Sequence, residues 1–175
     1  MFDPNSIPRL ETPRLRLRGF EERDLDPLAA LNADAGVMRW LGTGETLDRY
    51  ASWRQLASII GHWALLGYGL FAVERKDTGT FIGRVGLLNP ETWPGVEIAW
   101  TIAPAEWGKG YATEAARTVR DWAFGSLRQR RLISLIHPEN HASARVAEKI
   151  GERHEGMTRI FGIETRVFAI ENPRL

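Results

Sequence analysis

Residues Val96–Phe124 read VEIAWTIAPAEWGKGYATEAARTVRDWAF, and this stretch decides the fold. It opens as a strand. Val96, Ile98, Trp100 and Ile102 alternate with Glu97, Ala99 and Thr101, so the two sets fall on opposite faces. Ala103-Pro104 ends the strand, because proline has no N–H to give a ladder. A short loop, Trp107-Gly108-Lys109-Gly110-Tyr111, leads into a predicted helix. That helix carries Ala112, Ala115, Ala116, Val119 and Ala123 at helical spacing and stops at Gly125. A turn that opens a helix presents free N–H groups and the positive end of the helix dipole. It suits an anionic ligand such as a pyrophosphate, and two glycines let the backbone approach that ligand closely.

The loop fits neither of the commoner phosphate-binding patterns. A P-loop needs G-x-x-x-x-G-K-[ST], which this chain lacks. The dinucleotide fingerprint needs a third glycine where Thr113 stands. The stretch resembles motif A of the GNAT superfamily of acetyltransferases, Q/R-x-x-G-x-G/A after a strand, through Trp107-Gly108-Lys109-Gly110-Tyr111-Ala112. Trp107 departs from the usual Gln or Arg. WGKGYATEAAR is nevertheless similar to the RimJ/RimL-like branch, the ribosomal-protein N-acetyltransferases, in which Trp is common at that place. ETPRLRLRGFEERDLDPLAAL, residues 11–31, also resembles the first strand and helix of that branch.

Downstream, HPENHASARVAEKIG reads as a helix capped by Asn140, with Val146, Ala147 and Ile150 as its buried face and Gly151 as its stop. It resembles the family's motif B, N-x-x-S-x-x-x-x-E-K-x-G, through Asn140, Ser143, Glu148, Lys149 and Gly151. Asn140 stands thirty residues after Gly110, as the family requires.

The rest of the chain fits around these two motifs. Leu10–Arg18 alternates and reads as one strand, with Arg14, Arg16 and Arg18 as a solvated face in preference to a binding patch. A short helix follows Asp24. A longer one runs from about Thr46, as N-cap, to Leu66, with Leu56, Ile59, Ile60 and Trp63 on its apolar face. Gly69–Glu74 and Phe81–Leu88 form a hairpin about Asp77-Thr78-Gly79. Arg128, Arg130 and Arg131 cluster before a short strand, Leu132–Ile136, and read as a solvated helix end in preference to a contact with the cofactor phosphates. Glu155–Ile170 holds two short strands.

At 175 residues, with no repeat or linker, the chain reads as one domain, 1–175. A net charge of +1 gives no push toward nucleic acid or an anionic membrane. Without cysteine there is no disulfide, no thiolate metal site and no cysteine acyl-enzyme. Residues 1–5 lack the basic and apolar regions of a signal peptide, and no apolar run approaches a membrane span. A cytoplasmic protein is expected. No His, Asp and Glu set has metal-ligand spacing. The assembly is left open, a homodimer included.

The resemblance implies a GNAT acyl-CoA N-acyltransferase fold: α/β (α+β), with a mixed, mostly antiparallel sheet of six or seven strands and helices on both faces. It implies transfer of an acetyl group from acetyl-CoA to a primary amine of a small molecule or a protein N-terminus. The implied cofactor contacts are Trp107, Gly108, Lys109, Gly110, Tyr111, Ala112 and Thr113, main-chain groups near Trp100 and Ile102, and Asn140. The segment joining the first two helices commonly shapes the acceptor site in this family. Arg39, Trp40, Tyr50 and Trp53 are therefore acceptor candidates, beside the reading of the tryptophans as packing.

The amine arrives mostly protonated, so a carboxylate is needed to take its proton. Glu97, on the central strand, is the candidate base. The competing reading pairs it with an arginine across the sheet. The family often places a Tyr on the motif B helix to protonate the thiolate, but Tyr50, Tyr68 and Tyr111 all lie elsewhere. Ser143 stands where the branch approaches the sulfur and is the candidate acid, with His141 as an alternative. Direct transfer in a ternary complex follows from the missing thiol nucleophile. Two competitors remain at this level: a non-catalytic acyl-CoA-binding domain, and an unrelated protein with a helix-start anion site.

Overall fold

In a computed structural model the described residues are 6–175, so the signal-peptide reading of residues 1–5 lies outside them. The chain runs β1 (Leu10–Glu11), β2 (Leu15–Arg18), α1 (Leu25–Ala33), α2 (Ala35–Met38), α3 (Arg49–Leu66), β3 (Leu70–Arg75) and β4 (Phe81–Leu88). It continues with β5 (Glu97–Ile102), α4 (Tyr111–Gly125), β6 (Arg131–Ile136), α5 (His141–Lys149), β7 (Arg153–Ile160) and β8 (Ile163–Glu171). The strands form one eight-stranded sheet in the order β1-β2-β3-β4-β5-β6-β8-β7. Every adjacent pair is antiparallel except β5–β6.

The strand count exceeds the expected six or seven because Leu10–Arg18 is not one strand. Pro13 lacks an N–H, and the chain turns there, with Thr12 N donating to Leu15 O (3.0 Å). Leu10 then pairs back onto Leu17. α3 also starts later than expected. Leu47 N is tied to Asn32 O (3.0 Å), so the cap is Asp48, whose carboxylate accepts from Ala51 N (2.7 Å), and not Thr46. The hairpin, α4 and α5 fall where the sequence puts them. The last two strands span eight and nine residues.

Strand alternation assigns the two faces. Arg84 and Thr101 are paired neighbours and share a face with Glu97 and Ala99. Arg84 reaches Asn32 of α1 and Gln55 of α3, so α1 and α3 lie on that side. Val85 pairs with Trp100 on the other face, where the Trp100 indole reaches Ser143 of α5. Ala115, Ala116, Val119 and Ala123 of α4 are fully buried in the same core as Phe71, Val85 and Ile98.

Of the three arginines read as a solvated face, Arg18 is buried. Its guanidinium forks onto Asp24 (2.7 and 2.8 Å) and meets Glu74 at 2.5 Å. Two buried carboxylates, one of them 56 residues away in sequence, make the burial of this charge tolerable. Arg14 has a different use, described next.

Candidate active site

β5 and β6 run parallel but pair only at Glu97↔Ile133. Ile133 N donates to Val96 O (3.0 Å), and the Ser134 hydroxyl donates to Ile98 O (2.8 Å). Beyond that point the two strands part. Alternation then directs the N–H and C=O of Trp100 to the same side, into the opening. Ile102 O, one step further, accepts from the Trp107 indole N–H (2.6 Å). Trp107 therefore ties the loop to the end of β5 and occupies that carbonyl.

The loop beside this opening is braced from several directions. Gly108 and Gly110 have φ of +75° and +83°, a region that disfavours any side chain. Lys109 pairs with Glu106 (2.9 Å), and Arg75 reaches the same carboxylate (3.3 Å). Arg14 donates to Lys109 O (3.0 Å), lies over the Tyr111 ring at 4.4 Å and pairs with Glu114 at 2.6 Å. Glu114 also accepts from Thr12 (2.5 Å). Side chains of the first β-turn thus fix the start of α4. Its first-turn amides at Tyr111, Ala112 and Thr113 are left without intrahelical partners, as at any helix start. A groove of about 570 Å³ runs past Gly110 and Thr113, with Arg14, Arg117 and Lys149 on its walls.

Glu97 is buried at the narrow end of the opening. The sequence allowed an arginine partner, but the structure gives it two neutral donors: Trp93 Nε1 (2.8 Å) and Leu135 N (3.4 Å). Burial pushes its carboxyl up to about 7, against the pull of those two donors. Trp93, from the loop before β5, leans on Phe161 of the β7–β8 turn (5.9 Å).

Asn140 caps α5 as read, its Oδ1 accepting from Ser143 N (3.1 Å). Ser143 Oγ accepts from the Trp100 indole (3.3 Å), which leaves the hydroxyl proton free to point elsewhere. Loss of the cap in Asn140→Ala is expected to lower stability by about 1 kcal/mol, read as a lower midpoint in urea unfolding at unchanged slope.

Of the acceptor candidates, Trp40 packs against His137 (5.0 Å) and carries Arg39 over its ring (4.5 Å). His137 O accepts from Asn140 N (2.9 Å), so Trp40 stands at the start of α5. Tyr50 and Trp53 project from the beginning of α3 and are 69% and 53% exposed. They do not join that contact set.

Three groups escaped the sequence reading. Trp93 sits in the loop four residues before Glu97. Arg84 is buried on β4, with burial pushing its guanidinium down to about 10. Glu152 is buried just after Gly151, pushed up to about 8 by burial first and by the nearby Glu97 charge.

The parallel strands β5 and β6 thus part beside a glycine turn that opens a helix, and leave a slot between them. Residues 14–153 match the model of the acetyltransferase (GNAT) domain family. The chain belongs to the GNAT family of acetyltransferases. It is 30% identical over 179 residues to the uncharacterized N-acetyltransferase YoaA of Bacillus subtilis (strain 168), covering 96% of this chain and 99% of YoaA. The acetyltransferase of Agrobacterium tumefaciens str. C58 superposes with a TM-score of 0.84 at 30% identity, over 98% of this chain and 96% of that one. Spermidine N-acetyltransferase from Vibrio cholerae, solved with CoA and spermine, shares the fold at a TM-score of 0.75 and 23% identity, over 92% and 97%.

Proposed function

We propose that this protein transfers the acetyl group of acetyl-CoA directly to a primary amine of a small molecule or a protein N-terminus, as an enzyme akin to the RimJ/RimL-like branch. The observation that carries this is the β5–β6 opening beside the Gly108–Gly110 turn. The CoA held by the V. cholerae spermidine enzyme supports the choice of cofactor. The amides of Gly108–Thr113 take the pyrophosphate, with Arg14 and Arg117 supplying charge nearby. The pantetheine arm lies along β5, and the Trp100 N–H polarises the thioester carbonyl.

In the reaction, Glu97 takes a proton from the ammonium. The amine nitrogen bonds to the carbonyl carbon and the C–S bond breaks; the acylated nitrogen releases its second proton, and the thiolate takes one through the Ser143 hydroxyl, which is thereby left neutral. Asn140 keeps Ser143 in place. Arg39, Trp40, Tyr50 and Trp53 border the acceptor's approach. A cytoplasmic site of action, with no nucleic acid or membrane partner, belongs to the same reading.

Calorimetric titration of acetyl-CoA into the wild type and Gly110→Trp tests the central step. A bulky side chain at a φ of +83° both strains the turn and fills the phosphate approach. Binding by the wild type, weakened tenfold or more in a variant that circular dichroism shows to be folded, is the expected outcome. A wild type that binds no acetyl-CoA would overturn the proposal.

A further inference from the structure

Arg84 is the one buried cation in this sheet with no carboxylate against it among the described residues. It is 7% exposed. Its Nη1 donates to two neutral amide oxygens, Gln55 Oε1 and Asn32 Oδ1 (3.5 Å to the latter). Asn32 in turn donates to Ser52 (3.1 Å) and to Gln55 (2.9 Å), so the neighbours are themselves fixed. The contrast with Arg18 is direct. Arg18 is as deeply buried but is met by Asp24 and Glu74. Buried charges are normally paired, because an unpaired one costs several kcal/mol of lost hydration.

The other edge of the Arg84 guanidinium, Nε and Nη2, makes no hydrogen bond to the described residues. That edge is the one a carboxylate takes with two parallel hydrogen bonds.

Its position ties this edge to the reaction. Arg84 pairs with Thr101, one residue past the Trp100 amide that faces the thioester slot. It shares a face of the sheet with Glu97. Thr101 lies four strand steps from Glu97, about 13 Å between backbones before either side chain leans inward.

Resting on the acetyltransferase reading above, we infer that Arg84 is a specificity residue that receives the carboxylate of the acceptor, so that the preferred acceptors are amino-acid-like amines rather than plain amines. Asn32 and Gln55 hold the guanidinium so that its open fork faces the acceptor. The carboxylate supplies the counter-charge that the protein leaves out. Burial depresses the Arg84 pKa in the absence of that partner, and an anion would reverse the effect.

The test is a set of matched acceptors, the common amino acids and their decarboxylated amines, assayed by thiol release from acetyl-CoA. The wild type is expected to favour the carboxylate-bearing member of at least one pair by tenfold or more in kcat/KM, mostly through KM. Arg84→Met should bring that ratio near one while leaving the plain amine's kcat within about threefold. Gln55→Glu provides a second variant in which the fold gains an internal ion pair. It should raise KM for the carboxylate-bearing acceptor tenfold by occupying Arg84 from within. A preference that survives both substitutions overturns the inference, as does equal or better use of plain amines by the wild type. Acetyl-CoA binding with no turnover of any amino acid also overturns it, yet leaves the cofactor reading standing. Failure to bind acetyl-CoA at all strikes the function proposal instead.

Discussion

Glu97→Gln is expected to slow acetyl transfer by ~10²- to 10⁴-fold and to abolish the rise in rate around neutral pH. Glu97 is 8% exposed, and burial lifts its carboxyl from the ordinary range to about 7. Below that value the group is protonated and cannot accept from the ammonium. Above it, the carboxylate is available. The wild type should therefore show a limb in kcat/KM that climbs through about pH 7, distinct from the limb set by the amine itself near 8 or above. Gln preserves the size of the side chain and can still accept from Trp93 Nε1, so the change removes proton affinity with little change of shape. Thiol release measured from pH 5.5 to 9.5 for both proteins decides the matter. A variant within threefold of the wild type that keeps the limb near 7 would show that another group takes the proton.

The parts of this site that the sequence displays are the ones written in local patterns. The strand–turn–helix at Val96–Phe124 is carried by alternation, two glycines and an alanine-rich helical stripe, all within thirty residues. Asn140 announces a helix start because capping is a contact with residue 143, three positions on. What stayed hidden involves partners distant in the chain. Arg18 alternates like a surface residue, and only the fold brings Glu74 to it across 56 positions. Arg14 is exposed, in keeping with its solvated reading, but its partners Lys109 and Glu114 lie about a hundred residues away and alternation does not name them. Alternation assigns a residue to a face but does not say what covers that face. Arg84, on a face covered by α1 and α3, could not be read as a buried charge from its own strand. Glu97 was placed correctly on the central strand, but its surroundings of an indole N–H and a backbone N–H, rather than an arginine, belong to the tertiary structure.

Glu152 provides the second large effect, on stability rather than rate. It follows Gly151, which closes α5, and its N–H donates to Ala147 O (3.0 Å), so the backbone has little freedom to turn the side chain outward. The residue is 2% exposed, and neither carboxyl oxygen has a hydrogen-bond partner among the described residues. Ser134 lies close by, but its single proton is donated to Ile98 O (2.8 Å), so only a protonated Glu152 could make a bond there, as the donor. Burial, with the Glu97 charge adding to it, raises the carboxyl to about 8, whereas in the unfolded chain it titrates near 4.5. The folded state thus binds an extra proton between those two values. Its contribution is most favourable below about pH 4.5 and is lost as pH rises toward 8, opposite in sign to an ordinary salt-bridged acid. At about 1.4 kcal/mol per unit, the loss by pH 8 is on the order of 4 kcal/mol. Glu152→Leu removes both the proton linkage and the unpaired polar atoms from a buried position. The stability gain over the wild type is therefore expected to be small near pH 4.5, to grow steadily from there, and to level off above pH 8. Urea unfolding at several pH values measures that difference, and the comparison cancels the other titrating groups. A gain that is flat across pH would mean that Glu152 finds a partner or water in the folded state, whereas a loss at every pH would mean that the carboxyl packs better than the leucine replacing it.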